Sequence, residues 1–244
     1  MIIAGKTDVG KVRTHNEDAF FIDYVQNKAV VAVICDGMGG ENAGHIASSD
    51  AVSVISKRII EGYTPGMPSN SIRNLLLTTV TAANKTIYHK SKENLLYKGM
   101  GTTVVAAVIE DNMVYMVAVG DSRAYHITPK KIVQISKDHS MVQLLLEQGQ
   151  ITKDQAKAHP QKNLITRALG VGAKLDLDYI ECPVDQGDSL LICTDGLTNS
   201  IPDKEIFEIA SENLPKTACQ KLISAANAAG GSDNITILMI KIDK

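Results

Sequence analysis

Residues 102–135 read TTVVAAVIEDNMVYMVAVGDSRAYHITPKKIVQI, and this stretch decides the fold class. It holds four apolar runs, at 102–109, 113–120, 123–127 and 131–135. Glu110-Asp111-Asn112 and Thr128-Pro129-Lys130 are turn-like connections. Linkers this short have no room for crossover helices, so these strands must be antiparallel.

Two helical patterns precede the strands. Ile46, Ala47, Val54, Ile55 and Ile59 recur at helical spacing, then Ile72, Leu75, Leu76, Val80, Ala83 and Ile87 do the same. Thr64-Pro65-Gly66-Met67-Pro68-Ser69-Asn70 joins them and reads as the loop of a helical hairpin, not as a domain boundary. After the strands, 138–169 is expected to be helical in patches, with Gly149 and Pro160 as breakers. Strands near 176–182 and 189–194 follow, then helices near 203–213 and 216–229, then a last strand near 235–242. Paired helices and antiparallel groups make an α+β layered plan, distinct from alternating βαβ. No internal repeat appears, and one domain over 1–244 is the simplest organisation.

Composition removes several classes of function. A formal net charge of −2 supplies no basic field for nucleic acid or anionic lipid. The longest apolar runs are about eight residues, against roughly 20 for a membrane helix, so no membrane insertion is expected. The N-terminus lacks signal-peptide architecture. Cys35, Cys182, Cys193 and Cys219 have no paired spacing, which argues against zinc or redox use and for reduced cysteines in the cytoplasm. Gly5-Lys6-Thr7 lacks the upstream glycine of a P-loop.

The chemistry lies in five acidic motifs: Asn16-Glu17-Asp18-Ala19, Cys35-Asp36-Gly37-Met38-Gly39-Gly40, Gly120-Asp121-Ser122-Arg123, Thr194-Asp195-Gly196 and Ser232-Asp233-Asn234. Asp36, Asp121 and Asp195 directly follow strand-like runs, and Asp233 precedes one. A carboxylate at the end of a buried strand is costly unless its charge is compensated. Several such ends converging on one place make a hard-cation site of oxygen ligands. A lone Asp-Gly is usually only a turn; the ordered set is not.

That set is Arg13-x-x-Asn16-Glu17-Asp18, Asp36-Gly37-x-Gly39-Gly40, Met100-Gly101-Thr102-Thr103, Gly120-Asp121-Ser122-Arg123, Asp195-Gly196 and Asp233-Asn234. Running from about residue 7 to 242, it resembles the bacterial branch of the metal-dependent Ser/Thr protein phosphatases, the phosphatase 2C family. The resemblance implies a four-layer α-β-β-α sandwich, two antiparallel sheets flanked by helix pairs. It also implies a cofactor of two Mn²⁺ or Mg²⁺ ions. Asp36 would bridge them, with the Gly37 carbonyl on one and Asp195 and Asp233 on the other. Glu17 and Asp18 would ligate directly or through water, and Asp121 would serve a third, weaker ion. A metal-bridging water or hydroxide would attack phosphoserine or phosphothreonine directly, and Arg13 would grip the phosphate with its planar fork. His139, in Asp138-His139-Ser140, matches a motif beside the active site and is a candidate catalytic contact.

The chain departs from the family at two places. Met38 stands where many eukaryotic members carry a histidine proposed as general acid, so the leaving-group proton must come from elsewhere. Glu41 and His45 reverse the usual Gly-Gly-His-x-Ala-Gly-Glu order, at a spacing that allows pairing one helical turn apart. Residues about 141–165 correspond to a variable flap beside the metal centre. Glu147, Gln150 and Lys153 within it are expected to select phosphopeptides. The implied setting is a cytoplasmic monomer acting on phosphorylated proteins, among them a Ser/Thr kinase and its substrates. Two rival readings are a non-catalytic pseudophosphatase that binds or scaffolds phosphoproteins, and a phosphatase dedicated to anti-sigma-factor antagonists.

Overall fold

Strand β3 (Ala29–Met38) is buried on both faces, and its alternation sets the layering. Val31, Val33 and Cys35 face one apolar layer, while Val30, Ala32 and Ile34 face another. A strand with two apolar faces must be covered twice. In the computed structural model, which describes residues 1–39 and 43–243, it is covered by a helix pair on one side and a second sheet on the other.

The chain opens with β1 (Ile2–Asp8) and β2 (Asp18–Val25), then β3. Helices α1 (Ala43–Gly62) and α2 (Ser69–Glu93) follow as the expected hairpin. Next come β4 (Gly101–Thr102), β5 (Val104–Glu110), β6 (Met113–Val119), β7 (Arg123–Ile127) and β8 (Ile132–Gln134). The flap carries α3 (Met141–Glu147) and α4 (Lys153–Lys157). The chain closes with β9 (Asp178–Pro183), β10 (Ser189–Cys193), α5 (Asp195–Thr198), α6 (Asp203–Glu212), α7 (Pro215–Ala228) and β11 (Ile235–Lys241).

All strand pairs are antiparallel. One sheet runs β1-β11-β10-β7-β8, and the other β2-β3-β5-β6-β9 with β4 pairing β3. The apolar layer between the sheets includes Ile34, Val105, Met116, Leu190 and Ile240. Outside the second sheet, Ile55, Ile59, Leu76 and Val80 of α1 and α2 pack on β3 and β5. Outside the first, Ile206, Leu222 and Ile223 of α6 and α7 pack on β10 and β11. This is the four-layer α-β-β-α sandwich.

The structure refines the sequence reading at three places. First, β1 and β2 were not evident as separate strands. β1 is an edge strand whose residues are mostly exposed, so it carries no run of buried positions to read. Second, β3 continues through Asp36 to Met38, placing Asp36 inside the strand. Third, 138–169 is helical only in patches, as expected, and irregular between them. Its helices have only 7 and 5 residues, because Gly149 at φ +67° ends the first and a capping box at Thr152 starts the second afresh. Bridge pairing of Ser140 with Ile165 closes the flap at its base.

Candidate active site

Every motif meets at the end of the sandwich where β3, β6 and β10 stop and β2 and β11 start. Asp18 and Asp36 are direct cross-strand partners on β2 and β3. Like charges so placed repel. The Asp18 Oδ2 accepts from the hydroxyls of Thr194 at 2.9 Å and Thr236 at 2.6 Å, whereas its buried Oδ1 has no partner. Asp36 is fixed through its backbone: its amide donates to Thr103 Oγ1 at 3.0 Å, and its carbonyl accepts from the Thr103 amide and the Thr102 hydroxyl. Thr103 in turn contacts the Ser122 hydroxyl at 2.7 Å. The Gly-Thr-Thr and Gly-Asp-Ser-Arg motifs are thereby bound to the strand that carries Asp36.

Gly37 has to lack a side chain. A Cβ there would collide with the carbonyls of Gly44 and of Glu17, the latter at 2.6 Å. This close approach brings the Glu17 carboxylate to the start of α1, against the amides of Gly44 and His45. The Glu17 Oε1 is buried and without a partner. Gly196 plays the same part at α5, where a Cβ would strike the Asn234 carbonyl.

Asn234, which belonged to a motif but had no assigned role, organises the opposite wall. Its amide group donates to the carbonyls of Val9 and His15, and its Oδ1 accepts from the Glu17 amide at 2.8 Å. One side chain thus holds the loop bearing Arg13 against the loop bearing Asp233. Arg13 Nη2 donates to Asp233 Oδ2 at 2.9 Å. Asn199, one turn along α5, donates to Asp195 Oδ2 at 2.9 Å.

Arg13, Glu17, Asp36, Gly37, Asp121, Asp195 and Asp233 line a single cavity of about 500 Å³. Asp18 lies buried behind Asp36. Thr103, from the Met100-Gly101-Thr102-Thr103 motif, also lines the cavity, as do Asn163 and His15, which as single polar residues carried no sequence signal. His139 does not line it. Its Nδ1 accepts from the Gly120 amide at 3.1 Å, and its Nε2 lies 3.1 Å from Arg167 Nη1 and 3.3 Å from Asp178 Oδ2. Burial holds its pKa below the usual imidazole value, with Asp178 opposing. Glu41 lies outside the described residues; His45 sits on α1, its ring 3.5 Å from the Ser49 hydroxyl.

The electrostatics are lopsided. Among the described residues, five carboxylates (Glu17, Asp36, Asp121, Asp195 and Asp233) line the cavity, against one guanidinium. Burial, reinforced by Asp195 and Asp233, pushes Asp18 up to about 7. Burial, with Asp195 and Asp138 nearby, also takes Asp121 to about 7. Asp195 rises to about 6 through burial and Asp233. Asp36 is held well above the carboxylate range by burial and by Asp18, Asp195, Asp121 and Asp233. Glu17 is raised by burial, against the pull of Arg13.

Among the described residues, no three of these groups already form a closed metal cage. Arg13, Asn199, Thr194 and Thr236 tie up several of their oxygens instead. The donor set nevertheless fits hard divalent cations: it is all oxygen, strongly anionic, and leaves oxygens of Asp18 and Glu17 buried without partners. Among the described residues, no helix is long and apolar enough to cross a membrane.

Comparison with known proteins gives the same answer from an independent direction. The chain is 39% identical to the serine/threonine phosphatase stp of Listeria monocytogenes over 239 residues, covering 98% of this chain and 94% of that protein. Its structure superposes on the serine/threonine phosphatase Stp1 of Staphylococcus aureus with a TM-score of 0.94 at 35% identity, covering 100% and 96% of the two chains. It also matches the catalytic domain of the phosphatase PstP, solved in complex with two manganese ions, with a TM-score of 0.87 at 28% identity over 99% and 98%. The protein phosphatase 2C family model matches residues 10–225, a span that takes in every motif but Asp233-Asn234, and the chain belongs to that family.

Proposed function

We propose that this chain is a single catalytic domain over 1–244 that hydrolyses phosphoserine and phosphothreonine on proteins. The observation that carries the reading is the cavity itself, five carboxylates facing one arginine. Such a site cannot accept a phosphate dianion until cations compensate it. We assign Asp36, Asp195, Asp233 and the Gly37 carbonyl to a pair of Mn²⁺ or Mg²⁺ ions, with Glu17 and Asp18 direct or water-mediated partners. Asp121 is assigned to a third ion. When bound, such ions supply Lewis acidity, acidifying a water for in-line attack and drawing charge from the phosphoryl oxygens.

The chain's own residues orient and select. Thr102 and Thr103 fix the backbone of Asp36, and Asn234 fixes the loop of Arg13. The Arg13 fork is placed to take two phosphoryl oxygens once its hold on Asp233 is released. His139 braces the turn at Gly120, which sets the direction of Asp121. Its role is therefore positioning rather than contact with substrate.

A pseudophosphatase would be expected to have lost ligand carboxylates, and none is lost. The implied partners are phosphorylated proteins, including a Ser/Thr kinase and its targets. The test is phosphate release from a phosphoserine peptide with Mn²⁺ and with chelator. Mn²⁺-dependent release is the expected result. Binding of the peptide without release would favour the pseudophosphatase.

A further inference from the structure

Beside the catalytic cavity lies a second, of about 760 Å³. Asp121 and Asp195 line both, so the two join at the carboxylates. The flap forms one wall, and α5 with the start of α6 forms the other. Its size falls among the roughly 300–1,000 Å³ cavities that hold drug-sized ligands, enough for a short peptide segment. Leu146, Ala156 and Ile201 give it apolar surface.

Its charges are distributed unequally. On the inner wall Arg123 is neutralised by Asp138, and Asp121 and Asp195 are the carboxylates assigned to the metals. Arg123 makes three hydrogen bonds to Asp138, at 3.0, 3.0 and 2.7 Å, and Asp203 accepts from the Tyr125 hydroxyl at 3.1 Å. On the flap wall stand Lys153, Lys157 and Lys162, all exposed. Among the described residues, Lys153 and Lys162 have no carboxylate within 4.0 Å, and Lys157 has only Asp154, at 3.9 Å. Of the flap residues expected to choose substrates, Glu147 bonds Lys137 and Gln143, and Gln150 bonds Gln148. Lys153 alone of the three faces the groove.

We propose that this cavity seats the polypeptide flanking the scissile phosphoresidue, and that its three lysines favour substrates bearing a second anionic side chain there. The proposal rests on the phosphatase reading above. With the metals holding Asp121 and Asp195, and Arg123 paired to Asp138, three ammonium groups on one wall complement an anion. A neutral or basic flanking segment would leave them without partners. Both a second phosphate and a carboxylate have the required chemistry.

The test uses the metal-loaded full chain and one phosphoserine peptide with a neutral residue, glutamate or a second phosphoserine at successive positions on either side. Exposed charge pairs are weak singly, so three acting together should raise kcat/KM by about three- to tenfold over the neutral peptide. The advantage should appear on one side of the scissile residue and shrink with added salt. A gain with phosphoserine but not glutamate would identify phosphate as the preferred anion; a gain with both would identify negative charge as sufficient. The triple variant K153E/K157E/K162E should reverse the preference, and the single Lys→Gln variants should each reduce it. The ratio between peptides is read within one enzyme, so damage to the metal centre cannot imitate the effect. A ratio of one at every position in the wild type, or an unchanged ratio in the triple variant, would overturn the proposal. Release of phosphate from neither the peptides nor an aryl phosphate would overturn the phosphatase reading itself, and this proposal with it.

Discussion

Arg13 and Asp233, 220 residues apart in sequence, are joined by a 2.9 Å hydrogen bond across the mouth of the cavity. The loop after β1 and the loop before β11 meet there because β1 and β11 are paired along their whole length, from Ile2 with Lys241 to Asp8 with Ile235. The pairing places the only guanidinium lining the cavity, among the described residues, on one of the carboxylates assigned to the metals.

Arg13 should therefore act on phosphate binding. Arg13→Ala should raise KM for a phosphomonoester more than it lowers kcat. Lysine offers a point charge in place of a planar fork, so Arg13→Lys should restore only part of the loss. Steady-state kinetics on an aryl phosphate measures both; equal losses in kcat and kcat/KM would place Arg13 in transition-state stabilisation instead.

The raised carboxylates make metal-free stability depend on pH. Asp18 and Asp121 rise from an ordinary 3.8 to about 7, and Asp195 to about 6. Between those limits the folded chain binds more protons than the unfolded one, so stability falls as pH rises. The stabilising contribution of those protons is complete below about pH 4 and gone above about pH 7. Divalent ions compete for the same oxygens, so the gain in Tm on adding Mn²⁺ should grow across this window. Thermal melts with chelator and with Mn²⁺ would show it. A metal-free Tm that rises through the same range would contradict it.

Asp18 isolates that effect in one residue. Asp18→Asn keeps an acceptor for Thr194 and Thr236 but removes the buried charge. Without metal it should raise Tm by about 2–4 °C, the shift that about 1 kcal/mol produces in a chain of this size. With Mn²⁺ the advantage should disappear. A variant destabilised under both conditions would mean that the anion is needed for the hydrogen bonds themselves.

Asp121 joins the two cavities and is assigned to a third ion. Asp121→Ala should leave two ions bound by calorimetry and lower turnover. Unchanged stoichiometry together with unchanged rate would remove that assignment.

The layers of the fold were legible because their signals are local. Short connections in 102–135 made those strands antiparallel, and helical spacing marked α1, α2, α6 and α7. β1 and β2 were harder, since each depends on a partner strand rather than on its own alternation: β1 lies along β11, more than 200 residues away. In the flap the amphipathic stretch 141–146 forms a short helix, and Gly149 ends it as its breaker role implies. At the site, every carboxylate named from its motif converged. The roles of the residues that aim them were less visible: Asn234 and Thr103 stood in motifs without a role and Asn199 in none, and all three act through individual hydrogen bonds that no spacing rule encodes. His139, a histidine in a site motif, sits against Gly120, Asp178 and Arg167 and is not among the residues that line the cavity.

The central claim is that Asp36 is the carboxylate shared by two catalytic cations. It is tested most directly by phosphate release from a phosphoserine peptide by Asp36→Ala at saturating Mn²⁺, with folding checked by circular dichroism. Loss of the shared ligand removes the means of activating the attacking water, so turnover should fall by orders of magnitude. A correctly folded Asp36→Ala enzyme that keeps more than about a tenth of wild-type turnover would contradict the assignment.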